Sequence, residues 1–194
     1  MSIKYIMIHH TAVSYSKNAD QFDANNNYHK NLWSFKSSLG FYLGYNYEIA
    51  ANGRVRQARK DGERTAACYQ KDMNDGRAIH IALDGNFDIE NPKPEQIFAL
   101  RDLSKKLVSL YKIEKENIVP HKEFAPKSCP GKNIDMDFIK SLAFPEEKGA
   151  QTVEKVVEAL KDDGVTVIEV PVKVQLTNEL NRHYEEMSDI ISKL

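Results

Sequence analysis

With 194 residues and 41% hydrophobic content, the chain can bury one sizeable core and carry a small additional segment. Its formal net charge of −1, without a basic stripe, argues against a nucleic-acid-binding protein. Two cysteines exclude a disulfide scaffold and favour folding in a reducing compartment, and no apolar run is long enough to cross a membrane.

The N-terminal segment predicts a strand followed by a helix. The apolar run Ile3–Ile8 predicts a buried strand, which ends on His9-His10 and so places an imidazole at the mouth of a sheet. Residues 16–18 offer caps for a helix that runs to about Asn31, and an irregular aromatic segment follows at 33–42.

The middle of the chain predicts a hairpin and a central strand. Asn52-Gly53 is typical of a two-residue turn, which joins predicted strands at 45–50 and 54–59. Ala78–Leu83 is a continuous apolar run and predicts a strand buried on both faces.

Two helices and a short strand are predicted beyond this point. Pro92–Tyr111 predicts an amphipathic helix, Ile118-Val119 a short strand, and Asp135–Leu142 a final helix. The apolar face of the first helix comprises Ile97, Leu100, Leu103, Leu107 and Leu110. Alternating strands and helices predict an α/β fold for residues 1–144.

The composition changes after Phe144. Residues 145–151 predict a linker, and 152–194 a helix-strand-helix appendage that is too small for an independent core. We therefore expect the appendage to pack on the preceding domain or on another copy of itself. Its last helix has an apolar stripe of Leu176, Leu180, Tyr184, Met187, Ile191 and Leu194.

One loop combines residue types that bind metals. His121 and Cys129 lie eight residues apart, and Lys127 precedes the cysteine by two positions. Zinc accepts an imidazole nitrogen together with a thiolate, and a histidine of the His9-His10 pair can supply a third ligand. Three protein ligands leave one tetrahedral position open, which is typical of catalytic rather than structural zinc sites.

Five blocks of the chain, in this order, resemble the zinc-dependent N-acetylmuramoyl-L-alanine amidases, the family that includes amidase-type phage lysozymes and peptidoglycan recognition proteins. The blocks are Ile6–Ala12, Gly44–Ile49, Asn52–Arg54, Ala78–Phe87 and His121–Cys129, and the resemblance spans residues 2–144. It implies a central mixed β-sheet flanked by helices, a Zn²⁺ cofactor and peptidoglycan as the partner.

The resemblance also implies a role for five residues. His9, His121 and Cys129 fall on the zinc ligands of the family, and Tyr45 and Lys127 fall on its catalytic tyrosine and lysine. His9 is preferred over His10 because the family ligand directly follows the apolar strand and stands two residues before a threonine or serine.

Two residues depart from the family pattern. Asn46 stands where many relatives have a histidine, and His80 where the family has a glycine. We expect both to alter the substrate groove and to leave the metal ligands untouched. His80 is predicted to support a ligand or fill the core, His29 to lie on a helix surface or touch the groove, and Cys68 to be a free thiol.

The function implied by the resemblance is hydrolysis of the amide between N-acetylmuramic acid and L-alanine by zinc-activated water. Tyr45 would donate a hydrogen bond to the developing oxyanion, and Lys127 would stabilise the tetrahedral intermediate. The alternative is a noncatalytic peptidoglycan-binding protein. Such relatives usually lack the zinc cysteine, which is present here as Cys129. A structural zinc protein is disfavoured because only three ligands are apparent.

The N-terminus predicts the cellular setting. Met1-Ser2 is followed by a short apolar strand that contains Lys4, so we expect no signal peptide. By resemblance, we expect a phage endolysin that stays in the host cytoplasm and reaches the cell wall at lysis, without membrane insertion. For the appendage we favour homo-oligomerisation through its last helix over a wall-binding role or intramolecular packing.

Overall fold

A mixed β-sheet of five strands forms the centre of residues 2–144, the part of the chain that this computed structural model describes. The predicted linker and appendage lie outside the described residues. The strand order is β3-β2-β4-β1-β5. The strands are β1 Tyr5–His10, β2 Tyr47–Ile49, β3 Val55–Gln57, β4 Ala78–Leu83 and β5 Ile118–Pro120.

The two longest strands, β1 and β4, lie next to each other inside the sheet, and all of their residues except Tyr5 are buried. β1 pairs in parallel with β4 and with β5, β2 pairs in parallel with β4, and β3 closes one edge antiparallel to β2. Parallel strands are covered on both faces, which explains why β1 and β4 are mostly apolar, with histidines only at His9, His10 and His80. The predicted α/β fold with a mixed sheet is confirmed.

Three helices accompany the sheet: α1 Phe22–Trp33, α2 Pro94–Tyr111 and α3 Met136–Ala143. α2 and α3 contact each other, and they reach the sheet through β2 and β5 respectively. Asp135 caps α3 by accepting hydrogen bonds from the backbone N–H groups of Asp137 and Phe138. No helix among residues 2–144 has the length and apolarity needed to cross a membrane.

The buried face of α2 differs from the predicted stripe. Leu110 is 59% exposed, whereas Arg101 and Ser104 are buried together with Ile97, Leu100 and Leu107. The buried positions of α2 end at Leu107, so Leu110, the last leucine of the predicted stripe, is exposed to solvent.

α1 begins at Phe22 and not at the caps predicted at residues 16–18. The backbone N–H of Gln21, the residue before the helix, donates to Asp84 Oδ2 at 2.6 Å. Asp84 directly follows β4, so the acceptor at the start of this helix lies 63 residues away in sequence. Local cap patterns carry no information about such a partner.

The hairpin between β2 and β3 has three loop residues rather than the predicted two. Ala50 N–H donates to Arg54 O at 3.0 Å, Gly53 N–H donates to Ala50 O at 2.9 Å, and Gly53 has φ +80°. A turn followed by a left-handed glycine is the usual three-residue solution. The predicted glycine is confirmed as the turn residue.

Candidate metal centre and substrate groove

The parallel pairing of β1 with β5 brings two histidines together. Ile8 lies opposite Pro120, so the next residues of the two strands, His9 and His121, are neighbours, with ring centroids 4.5 Å apart. Cys129 returns on the loop after β5 and places its Sγ 3.8 Å from His9 Nδ1. The ligand atoms of His9, His121 and Cys129 all lie within 4.8 Å of one another.

The loop that carries Cys129 is fixed by hydrogen bonds at both of its sides. Lys122 N–H donates to Cys129 O at 2.8 Å, and Ser128 Oγ donates to Asp88 Oδ2 at 2.6 Å. Gly131 has φ +107°, and a Cβ at this position would lie 2.7 Å from Phe87 O. Only glycine fits this close approach, which holds the cysteine against the end of the sheet.

His10 faces away from the cluster. Its Nδ1 accepts a hydrogen bond from Phe87 N–H at 3.2 Å, while its own backbone N–H donates to Cys129 Sγ at 3.4 Å. Adjacent residues of a strand point to opposite faces, so His9 and His10 cannot both enter one site. His10 instead contributes a backbone donor to the cysteine sulfur.

The three clustered side chains have a chemistry that fits zinc. All three are buried, and burial lowers the pKa of His9 well below its usual range and that of His121 to about 4, so both imidazoles are neutral. Burial raises the pKa of Cys129 to about 11, against the opposing effects of the His10 N–H and Lys127. His121 Nε2 is a buried nitrogen without a hydrogen-bond partner in the described part of the chain. Two imidazoles and one sulfur match the ligands of a metal ion such as zinc.

His80 contacts a predicted metal ligand, as its predicted supporting role implies, whereas the expectation that it would alter the groove and leave the ligands untouched is wrong. Its Nδ1 lies 2.9 Å from His9 Nε2, and its Nε2 lies 3.3 Å from Met73 O. Asn46, the other departure from the family pattern, holds the same strand, because its Oδ1 accepts from His80 N–H at 2.8 Å. Neither side chain lines the groove.

Tyr45 lies beside the metal centre, just before β2. Its ring centroid is 5.1 Å from that of His9, and no residue of the described chain hydrogen-bonds to its hydroxyl. Burial raises the pKa of Tyr45 well above its usual range, with smaller contributions from Cys129, Glu48 and Asp84. The phenol therefore keeps its proton at neutral pH and remains a hydrogen-bond donor.

His29 is buried rather than on the helix surface; it lines the groove, which was the other predicted position, and it also supports Tyr45. Its Nδ1 accepts from Gly44 N–H at 3.1 Å, and its ring stacks on Trp33 with centroids 4.6 Å apart. It meets Tyr45 edge-on at 5.7 Å. α1 thus braces the turn that carries Tyr45, a role that the polar sequence around His29 did not indicate.

Lys127 is exposed on the cysteine loop, and its Nζ lies 5.7 Å from the centre of the Tyr69 ring. Its positive charge lowers the pKa of His9, His121 and Cys129. An ammonium group that acts on all three side chains is close enough to interact with a negative charge that develops beside them.

A groove with a volume of about 1340 Å³ passes over the metal centre. Its lining includes Tyr45, Lys127, His121 and Cys129, and α1 forms a wall with exposed aromatic and aliphatic side chains. The further lining residues include Tyr28, His29, Leu32, Trp33, Arg64, Cys68 and Tyr69. Cys68 is a free, half-buried thiol, as predicted.

The structure thus defines an α/β protein in which two histidines and a cysteine that could hold a metal ion lie together beside a groove. The chain belongs to the N-acetylmuramoyl-L-alanine amidase family (Amidase_2), whose family model matches residues 1–132. The resemblance stated from the sequence is confirmed at this level.

Individual relatives lie in two groups. The chain is 29% identical over 108 residues to peptidoglycan-recognition protein SD of Drosophila simulans, a match that covers 54% of this chain and only 56% of that relative. The structure of the present chain resembles that of the N-acetylmuramoyl-L-alanine amidase LysC from Clostridium intestinale URNW. The TM-score is 0.60 at 27% sequence identity, and the match covers 73% of this chain and 85% of LysC. The endolysin amidase LysCS from the same organism gives a TM-score of 0.60, 27% identity, and coverage of 73% and 83%.

Proposed function

We propose that this chain hydrolyses the amide bond between N-acetylmuramic acid and L-alanine in peptidoglycan, with zinc held by His9, His121 and Cys129. The observation that supports this proposal most directly is that the ligand atoms of these three side chains lie within 4.8 Å of one another. Membership of the amidase family supports the substrate class. Zinc bound at such an open three-ligand site activates water at neutral pH and polarises a carbonyl.

Tyr45 supplies a neutral hydrogen-bond donor in this proposal. Its ring lies 5.1 Å from that of His9, and burial raises the pKa of its phenol, so the proton stays on the oxygen. As the scissile carbonyl gains negative charge, the phenolic O–H donates to its oxygen. A donor that is already oriented in a partly buried site stabilises this charge without reorganisation.

Lys127 supplies a positive charge at the groove. The Cys129 loop is tied to the protein through Asp88 and Lys122, and the lysine side chain is positioned over Tyr69. Its ammonium group stabilises the tetrahedral intermediate that forms when the amide carbonyl is attacked. Tyr45 and Lys127 act on the same developing charge from separate elements.

The groove supports a substrate larger than the scissile amide. About 1340 Å³ exceeds the volume of a typical small-ligand pocket, roughly 300–1,000 Å³. The aromatic wall of Tyr28 and Trp33 and the polar side chain of Arg64 provide contacts for a peptide stem along its length.

Noncatalytic binding of peptidoglycan is the second candidate. It is favoured by the 29% identity to a relative named as a peptidoglycan-recognition protein. Both candidates use the same groove, and they differ in whether the amide is broken.

Mass spectrometry of products from purified peptidoglycan distinguishes the two. We expect soluble stem peptides with a free N-terminal L-alanine, lost on chelation and restored by added zinc. Cys129→Ala should abolish both release and zinc content, whereas Cys68→Ala, at the other free cysteine of the groove, should retain zinc. Binding to the wall without any release would establish the noncatalytic alternative.

For the biological setting we propose an endolysin, supported by the likeness to the endolysin amidase LysCS. Expression in a bacterial cytoplasm should then leave cells intact until the inner membrane is permeabilised, when turbidity should fall rapidly. Lysis without permeabilisation would contradict this setting.

A further inference from the structure

A hydrogen-bonded chain runs from a backbone carbonyl to the metal centre. Met73 O lies 3.3 Å from His80 Nε2, and His80 Nδ1 lies 2.9 Å from His9 Nε2. His9 Nδ1 is then 3.8 Å from Cys129 Sγ. Both histidines are essentially inaccessible to solvent, with exposures of 1% for His9 and 0% for His80. Water therefore does not compete for these ring nitrogens.

The Met73 carbonyl determines which ring nitrogens of His80 and His9 carry protons. A carbonyl oxygen only accepts, so His80 Nε2 must carry the proton that points at Met73 O. A neutral imidazole has one donor and one acceptor, so His80 Nδ1 accepts, and the donor facing it is His9 Nε2–H. His9 Nδ1 is consequently left with its lone pair, and this is the nitrogen that faces the cysteine sulfur.

Metal binding by His9 Nδ1 requires the same tautomer of His9, for an independent reason. A ligating imidazole presents a lone pair and commonly donates its other N–H to a fixed acceptor, which sets the tautomer and orientation of the ring. We propose that His80 is this acceptor: a positioning residue that holds His9 in the tautomer and orientation in which Nδ1 binds the metal. The inference rests on the zinc site proposed above.

The position of His80 in the sheet makes it a rigid acceptor. It lies in the middle of β4, opposite Met7 of β1, and its backbone N–H is held by Asn46 Oδ1 at 2.8 Å. Asn46 is fixed in turn, because its Nδ2 donates to Lys60 O at 3.0 Å. A mispositioned ligand weakens a metal site even when all ligands are present, so His80 should affect zinc affinity without touching the ion.

Two substitutions of His80 distinguish the roles of its two ring nitrogens, because each keeps only one of the two hydrogen bonds. In His80→Asn, the side-chain oxygen occupies the place of Nδ1 and can still accept from His9. In His80→Gln, the amide reaches the place of Nε2 and Met73 O but leaves His9 without its acceptor. Met73 O keeps a second donor, Ala78 N–H, so the loss of one bond there is tolerable in His80→Asn.

The experiment compares zinc affinity, measured by competition with a chelator, in full-length wild type and both variants. We expect His80→Gln to bind zinc about 10- to 100-fold more weakly, the range typical for loss of such a partner, and His80→Asn to stay close to wild type. Equal affinity of His80→Gln and wild type would overturn the proposal, as would an equal loss in both variants.

A second measurement needs neither a metal nor a variant. Long-range ¹⁵N–¹H correlation spectra of the metal-free wild type report which nitrogen of each histidine is protonated. We expect Nε2–H for both His9 and His80, and Nδ1–H on His9 would overturn the positioning role. Failure of wild type to bind zinc would refute the proposed metal centre, while these spectra would still decide the role of His80.

Discussion

Tyr45 and Tyr47 stand two residues apart, yet only one of them faces the metal centre. The Tyr47 hydroxyl donates to Asp61 Oδ1 at 2.7 Å, whereas the Tyr45 ring packs against His9. We expect Tyr45→Phe to lower kcat roughly 10²- to 10³-fold, the usual cost of one oxyanion donor, with zinc content unchanged. Tyr47→Phe, the matched control, should retain near-normal turnover. Release of stem peptides and bound zinc are measured in parallel, and wild-type turnover by Tyr45→Phe would refute its role.

The Cys129 loop offers a similar comparison between two exposed lysines. Lys127 lines the groove and acts on the ligand side chains, whereas Lys122 is exposed on the same loop but does not line the groove. Lys127→Ala should lower kcat by roughly 10²-fold or more without loss of zinc, because the charge acts on the intermediate rather than on the metal. Lys122→Ala keeps the backbone N–H that bonds Cys129 and should leave kcat within about twofold of wild type, since an exposed charge outside the groove is largely screened. Equal turnover in the two variants would contradict the assignment.

At this scale the sequence was informative about residues with recognisable spacing. His121 and Cys129 share one loop, and the register of two parallel strands then brings His9 to them. A supporting role was predicted for His80 without its partner, and the contact of His29 with Tyr45 was not predicted, because both histidines act through residues that are close only in space. For His80 the residue type was the signal, since a histidine in a buried strand has to satisfy two nitrogens, whereas His29 lies in the polar sequence of α1 without such a signal.

At the scale of elements, α1 is joined to the sheet by two buried carboxyl groups. Asn25 Nδ2 donates to Glu48 Oε2 at 3.0 Å, and Gln21 N–H donates to Asp84 Oδ2 at 2.6 Å. Glu48 Oε1 and Asp84 Oδ1 are buried and have no hydrogen-bond donor within residues 2–144, and the two carboxyls interact with each other, so we expect them to share a proton. Burial raises the pKa of Glu48 and of Asp84.

This pair predicts a pH-dependent stability. Because the folded pKa values lie above the unfolded ones, the folded state binds more protons, and the free energy of unfolding falls as pH rises from about 4 towards neutrality. Glu48→Gln supplies a permanent donor to Asp84 and removes one of the two raised carboxyl pKa values, so the fall should be clearly smaller than in wild type. Urea unfolding at pH 4 and 7 measures it, with the exposed Glu116→Gln as control. An unchanged pH slope in Glu48→Gln would exclude the shared proton.

The hairpin predicts a second effect on stability, through its contact with α2. Gly53 has φ +80°, and a Cβ there would lie 2.7 Å from Glu95 O in the first turn of α2. Gly40 has a similar φ of +91° but nothing within 4 Å of an added Cβ. Gly40→Ala should therefore cost only the backbone term, about 1–2 kcal/mol, and Gly53→Ala clearly more. Thermal unfolding measures the loss of stability in both variants. Equal losses would show that the hairpin can shift away from α2 at no additional cost in stability.

Elements with strong local patterns were predicted well, and those set by distant partners were not. β1, β4, α2 and α3 appear within a few residues of their predicted bounds, because apolar runs, a proline at a helix start and the Asp135 cap act locally. α1 begins later than predicted, since the N–H of Gln21, the residue before its first turn, donates to Asp84 at the end of β4. The same limitation applies to the third loop residue of the hairpin.

For the whole molecule, the sequence after Phe144 predicts self-association. The stripe of Leu176, Leu180, Tyr184, Met187, Ile191 and Leu194 lies outside the described residues, and its spacing of three and four favours one apolar helix face. A segment of this size cannot bury such a face alone, so a second copy is the partner that we favour.

Light scattering coupled to size-exclusion chromatography tests this association on the full-length chain. We expect a dimer or larger species, reduced to a monomer by truncation after Phe144 and by Leu180→Glu, which places a charge in the stripe. Asn181→Glu adds the same charge one residue away, off the stripe, and should leave the oligomer intact. A monomeric full-length protein would instead show that the stripe packs within the chain or serves wall binding. If both substitutions dissociated the oligomer equally, net charge rather than an apolar helix face would control assembly.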